Sequence, residues 1–231
     1  MRLDPTVLTT REYGREHAHY PVALSVDSLA QAWVRRGHAP NGAAVIADLE
    51  VSARTRHGTP WEGAGGLYIA VVVHPESTPE KEGLLWARAA VALTAAAGEG
   101  TSLQWPDLLI SKYGRPIGMS NVWALLGPGR IDRAVLTFRL ENPPVDAIGR
   151  LLTALEESEE ESLLPAAFAR VDRLAGTMIE IGLAPRGVVR GLAGGIDHRG
   201  RLVLVGPDRS TDQFTVERIR AISILDRAGP V

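Results

Sequence analysis

Two nearly unbroken apolar stretches, AAVIADLEV at 43–51 and LYIAVVVHP at 67–75, stand out along this chain. Their length and continuity predict strands buried on both faces. Helical spacing surrounds them. Over 27–37, Leu29, Trp33 and Val34 share one face, with Asp27 or Ser28 as the cap and Gly37 as the stop. From 81 to 97 an Ala/Leu pattern that ends at Gly98 predicts the clearest helix. SLQWPDLLI, SKYGR and PIGMSNVWALL then read as strand, turn and strand, with Gly114 supplying a positive φ. RAVLTFRL (133–140) continues the sheet until Pro143–Pro144. Helices over 145–157 and 162–175 follow, separated by the acidic run Glu156–Glu161, which reads as solvated helix ends. Residues 1–20 show no clear period and read as an irregular arm or edge segment. Over 184–226, four or five short strands are expected, with turns at Gly194–Gly195 and His198–Gly200. The expected architecture is α+β: a mixed sheet with helices in 1–183, then a small β barrel in 184–231.

Composition narrows the function classes. The 231 residues are 45% hydrophobic and 23% charged, enough apolar surface for a sizeable core. With 25 Lys+Arg against 27 Asp+Glu there is no cationic excess to displace counterions from nucleic acid. No apolar run approaches the roughly 20 residues of a membrane span, and no secretory signal opens the chain, so a cytoplasmic protein is expected. The chain has no Cys, which excludes disulfides, thiolate metal sites and a cysteine nucleophile. Only Lys81 and Lys112 are lysines, so lysine chemistry has two candidates.

The loop SARTRHGTPWEGAGG (52–66) joins the two buried strands and carries the densest candidate chemistry. Arg54 and Arg56 can grip a phosphate, glycines such as Gly58 let backbone N–H groups approach an anion, and Trp61 can stack on a flat ring. A solvated surface connection fits the same composition. It matches neither a P-loop nor a GxGxxG turn. Lys112, Arg115 and Gly118 lie on the hairpin after Gln104-Trp105-Pro106-Asp107, where a plain polar turn is the alternative. His17 and His19 form an HxH pair without a third ligand in view.

In order and spacing, these segments resemble the catalytic region of biotin protein ligases, within the biotin/lipoate ligase superfamily. The matching pieces are Asp27-Ser28-Leu29-Ala30, Ala53-Arg54-Thr55-Arg56-His57-Gly58 with Trp61, and Gln104-Trp105-Pro106-Asp107. Arg115-Pro116-Ile117-Gly118-Met119, Thr137 to Pro144, Arg190 to Asp197 and Gly200 complete the set, over about 22–226. The resemblance implies the α+β ligase catalytic fold followed by an SH3-like β barrel. It implies ATP-dependent activation of a small carboxylic acid, biotin or another, to an acyl-adenylate, with Mg, and transfer to a lysine on a carrier protein. It assigns Arg56 to the adenylate phosphate, Trp61 to adenine, Ser28 to the biotin ring and Gly118 to the pocket, with Arg54 and Gly58 in the same loop. Homodimers are frequent in that family. The family's helix-turn-helix domain would precede this region, where only about 20 residues stand, so no DNA-binding role is expected.

The departures from the pattern are specific. Arg115 replaces the hairpin lysine, and Lys112 lies three residues earlier. Gln104 replaces the KWPND lysine, and Asp107–Leu108 replaces its Asn–Asp pair, leaving Asp107 as the metal candidate. Glu50 replaces the pocket glutamine, Leu29 and Ala30 replace Thr and Asn, and the GIGIN strand has lost its glycines, with Arg139 in place of asparagine. Three readings follow: a ligase in which Arg56 and Arg115 carry the phosphate charge, a catalytically inactive protein that binds a biotin- or lipoate-like ligand, or one that docks on carrier domains.

Overall fold

The computed structural model describes residues 13–61 and 66–225. Residues 1–12 of the expected arm, and Gly63 and Gly65 of the glycine-rich loop, lie outside the described residues. A seven-stranded sheet runs in the order β1-β2-β3-β7-β6-β5-β4. Its strands are β1 (His17–Tyr20), β2 (Ala44–Ala47), β3 (Gly66–Val73), β4 (Thr101–Gln104), β5 (Leu108–Ser111), β6 (Pro116–Gly127) and β7 (Arg130–Glu141). β1 pairs with β2 in parallel, and the other neighbours are antiparallel. Helix α1 (Val26–Arg35) covers one face, burying Val26, Ala30 and Val34 against Val45, Tyr68, Ala70, Val72 and Val135. On the other face α2 (Glu82–Ala97), α3 (Ala147–Glu157) and α4 (Leu164–Ala169) cover Ile69, Val71, Leu136 and Phe138. Both faces of β3 are therefore buried, which is why its apolar run is continuous.

Several elements differ from the sequence expectation. SLQWPDLLI is two strands, because Trp105–Asp107 turns the chain back and β4 pairs antiparallel with β5. The 43–51 strand shortens to β2, after which residues 48–52 run beside 20–24 through single bonds such as Ala23 N to Leu49 O. Ser25, not Asp27 or Ser28, caps α1, its hydroxyl accepting from Ser28 N. Residues 1–20, expected as an irregular arm or edge segment, do contribute the edge strand β1. The expected 162–175 helix keeps only α4.

A second, antiparallel sheet has the order β11-β10-β9-β8-β12. It comprises β8 (Met178–Leu183), β9 (Val188–Ile196), β10 (Leu202–Val205), β11 (Thr211–Phe214) and β12 (Ile219–Ile224). Its first strand thus starts before the expected boundary at 184. Gly194–Gly195 is not a turn but a bulge in β9, with Gly195 at φ +82. The turn is at 197–200, where Asp197 accepts from Arg199 N and Arg201 N.

The two sheets share one core. Ile179, Ile181, Leu202, Leu204 and Ile219 belong to the same buried cluster as Trp86, Leu93, Trp105 and Phe168. At its edge α2 meets the 197–200 turn glycine to glycine: a Cβ on Gly83 would collide with the Gly200 carbonyl, and one on Gly200 with Gly83. No helix among the described residues is long and apolar enough to cross a membrane.

Candidate functional site

Strand β7 lies between β3 and β6 in the seven-stranded sheet, and its alternation divides two chemistries. Leu136, Phe138 and Leu140 belong to the core beneath α2, whereas Val135 packs with α1. Thr137, Arg139 and Glu141 continue the α1 side as a buried polar row. Arg139 sits between Tyr68 of β3 and Met119 of β6 and is 2% exposed. A guanidinium cannot lose its charge there, so it needs a carboxylate and a full set of acceptors. Glu50 supplies the carboxylate in a two-pronged pair, Arg139 Nε to Oε2 at 2.6 Å and Nη2 to Oε1 at 2.8 Å. Arg139 Nη1 donates to the Arg54 carbonyl at 3.2 Å. Glu50 also accepts from Val26 N at 3.0 Å, at the positive end of α1. Burial and the Glu50 charge push the Tyr68 hydroxyl above its ordinary pKa. Thr137 Oγ1 donates to Asp27 at 3.2 Å.

The first part of the glycine-rich loop is a tight hairpin. Thr55 N donates to Thr59 O at 2.8 Å, Gly58 N to Thr55 O at 2.9 Å, and Trp61 N to Ala53 O at 2.9 Å. Gly58 turns it at φ +77, and Arg54 Nη1 donates to the Gly58 carbonyl at 2.6 Å. These N–H groups are engaged within the hairpin rather than turned to an anion. Trp61 is half-buried at its end. Arg56 points inward: its Nε stands 3.4 Å from Asp107 Oδ2, and its Nη1 donates to the Val216 carbonyl at 3.3 Å. Arg56 thereby ties three parts of the molecule together: hairpin, β4–β5 turn and second sheet. Burial pushes Asp107 up to about 6, against the pull of Arg56. Burial and the Arg56 charge lower His57. A cavity of about 320 Å³ opens beside them, lined by Arg56, His57, Trp86, Asn121, Glu217 and Arg220 among others.

Arg115 closes the row. Its Nη2 stands 2.8 Å from Oε2 of the buried Glu141, while its own side chain is 62% exposed. Lys112 does not join the site: it lies at the exposed hairpin tip, Nζ 5.1 Å from the Tyr113 ring centre. Ser28 is exposed on the first turn of α1. Gly118 belongs to the opposite face, since a Cβ there would stand 3.3–3.4 Å from Leu140 and Leu109 side chains and 2.8 Å from the Arg139 carbonyl. The structure thus brings Glu50, Arg56, Asp107 and Arg115 into three ion pairs. Arg139 and Glu141 complete them. Glu141, Tyr68, Thr137 and Asp27 are not among the site residues that the sequence singles out, although Asp27, Thr137 and Glu141 lie in the matching segments. The polar 137/139/141 repeat inside an apolar strand was the signal that could have found two of them.

Asp107, the magnesium candidate, faces Arg56, and among the described residues no group of three or more His, Asp or Glu could hold a metal ion without a ligand's oxygens. The HxH pair is likewise engaged, His19 with Asp48 at 2.9 Å and His17 with the Gly14 carbonyl at 3.0 Å.

The candidate site thus lies between a helix, an arginine hairpin and a polar central strand, in an α+β domain with a small β domain packed against it. Comparison with known proteins shows that the chain has the fold of solved biotin protein ligases. It is similar to the Aquifex aeolicus biotin protein ligase solved in complex with biotin and ATP, at 14% identity and a TM-score of 0.69, covering 91% of this chain and 100% of that one. It is similar to the Helicobacter pylori biotin acetyl coenzyme A carboxylase synthetase with bound biotinylated ATP, at 16% identity and TM-score 0.62, covering 86% and 99%. A biotin protein ligase-like protein of unknown function from Silicibacter sp. TM1040 aligns at 16% identity and TM-score 0.58, covering 86% and 93%. In sequence, 103 residues (42% of this chain) are 29% identical to the bifunctional ligase/repressor BirA of Bacillus spizizenii, and that match spans 32% of the relative's length. No protein-family profile matches the chain.

Proposed function

We propose that this chain is a catalytically silent biotin protein ligase-like protein, which binds a small carboxylic acid or the carrier domain of one without forming an acyl-adenylate. One observation carries the reading: of the arginines at ligase site positions, Arg56, Arg115 and Arg139 each face a carboxylate, in the pairs Arg56–Asp107, Arg115–Glu141 and Arg139–Glu50, while Arg54 is turned to the Gly58 carbonyl. Adenylation needs uncompensated cations aimed at the charge that grows on the α-phosphate. Here three positive charges meet three negative ones. Glu50, which stands where the family has its pocket glutamine, already accepts three hydrogen bonds, from Val26 N and twice from Arg139, and as a carboxylate it has no N–H to offer a ligand's carbonyl.

A second reading, ATP-dependent ligation in which Arg56 and Arg115 exchange their carboxylates for phosphate, is favoured by the cavity beside Arg56. One experiment separates the two. Purified protein is incubated with Mg-ATP and biotin, lipoate or octanoate, and followed by native mass spectrometry and pyrophosphate release. The expected result is a bound acid with neither adenylate nor pyrophosphate. A retained acyl-adenylate overturns the silent reading.

A further inference from the structure

We propose that a cavity at the far end of the first sheet, beneath α2 and α3, is a second ligand site, built for an amino acid with a cationic side chain. It goes beyond the silent reading and does not depend on it.

The cavity measures about 450 Å³ and is lined by Asn41, His74, Glu76, Arg88, Glu159 and Glu161 among others. It is remote from the arginine hairpin. Tyr68 stands beside Arg139 in the sheet, and His74 follows six residues further along, just past the end of β3. At the rise of a strand, about 3.3 Å per residue, the separation is about 20 Å. Arg88 belongs to α2, on the face opposite to α1.

A buried guanidinium identifies the site. Arg88 is 6% exposed and cannot shed its charge. Its Nε donates to the Leu155 carbonyl at 3.2 Å, at the C-terminal end of α3, and its Nη2 to the Tyr13 hydroxyl at 2.7 Å. The Tyr13 ring lies 5.6 Å beneath it and holds its plane. Its ion-pair carboxylate, Glu159, stands at 3.7 Å, beyond hydrogen-bond reach, and is half-exposed. Nη1 makes no hydrogen bond among the described residues, and it is not one of their sealed buried polar atoms. Arg139, equally buried, engages Nε, Nη1 and Nη2 with Glu50 and the Arg54 carbonyl. A buried arginine with a donor left over beside a cavity calls for a ligand oxygen, and a carboxylate is the strongest such acceptor.

The rest of the charged lining is acidic. Glu161 meets Lys81 at 3.0 Å, Glu159 accepts from the Tyr13 hydroxyl at 2.9 Å, and Glu76 is exposed. A plain carboxylic acid would be repelled by this rim, and a plain amine would leave Arg88 Nη1 without an acceptor. A molecule that carries its carboxylate inward and a cationic side chain toward Glu76 and Glu161 satisfies both ends. His74 and Asn41 are held by their neighbours, His74 Nε2 at 3.0 Å from the Ala39 carbonyl and Asn41 Oδ1 accepting from His74 N at 2.9 Å. They shape the wall.

The test is isothermal titration calorimetry with L-lysine, with L-norleucine, which lacks the side-chain cation, and with cadaverine, which lacks the carboxylate. Lysine is expected to bind at least about tenfold more tightly than either, the scale of one charge-assisted hydrogen bond. The double variant Glu76→Gln, Glu161→Gln is expected to remove the preference for lysine over norleucine. Arg88→Gln is expected to remove the preference for lysine over cadaverine. Arg88 also holds the end of α3, so where circular dichroism shows that variant unfolded, the ligand series and the glutamate variant carry the test. No saturable binding of lysine, equal affinity for the three probes, or lysine binding untouched by the glutamate variant overturns the inference. The last result would place the amino acid elsewhere, in the pocket of the arginine hairpin. Failure of the silent reading looks different: wild type would yield an acyl-adenylate, whatever lysine does here.

Discussion

Arg139 and Glu50 are 89 positions apart in the chain, and each would be intolerable in its place without the other. Removing one partner of a buried pair leaves an uncompensated charge and costs about 3–5 kcal/mol, while replacing both by apolar groups of similar volume is often neutral. Arg139→Met and Glu50→Leu are thus expected to destabilise singly by that amount and to recover most of it together, measured as a double-mutant cycle in urea unfolding. Additive losses would show that the pair is not a unit. Asp107 carries a pH signature. Its carboxyl titrates near 3.8 when unfolded and about 6 when folded, so between those values the folded state holds the extra proton. A raised carboxylate contributes stability at low pH that is lost as pH rises, here from about 4 to 6, by on the order of 3 kcal/mol. The stability of wild type minus that of Asp107→Asn is therefore expected to fall across this window, in unfolding midpoints taken at each pH. A flat difference would mean that the burial is offset by Arg56.

At the scale of elements, the contact between α2 and the 197–200 turn decides how the second sheet sits. Gly→Ala inside a helix ordinarily stabilises by about 0.5–1 kcal/mol. Gly83→Ala is expected to do the reverse, because its Cβ would run into the Gly200 carbonyl. Gly200→Ala meets the same clash and also a φ of +75. Either change is expected to lower the melting temperature and to speed limited proteolysis near the turn. An unchanged melting temperature for both would remove this contact from the interface. The elements themselves were legible to different degrees. α2 and β3 stand where the apolar pattern put them, because burial all round leaves nothing for tertiary structure to reinterpret. SLQWPDLLI misled because the pattern of a strand is the same whether the chain continues or doubles back at Trp105–Asp107.

For the whole molecule, a core that contains Trp86 and Trp105 together with Ile181 and Leu204 predicts one cooperative unfolding transition. Tryptophan fluorescence and far-UV circular dichroism should give coincident curves, and a separate early transition would mark the second sheet as an independent unit.

The amino-acid order by itself determined the α+β architecture, the later β sheet and the ligase-like succession of segments, since apolar runs, helical spacing and glycine turns are local properties. It also marked Glu50, Asp107, Arg115 and Arg139 as departures from that succession. Only the tertiary structure decided that these departures answer one another. The partners of Arg56, Arg115 and Arg139 are chosen by strand register and by the approach of distant elements. Charge pairing acts over a few ångströms in space, whatever the distance along the chain.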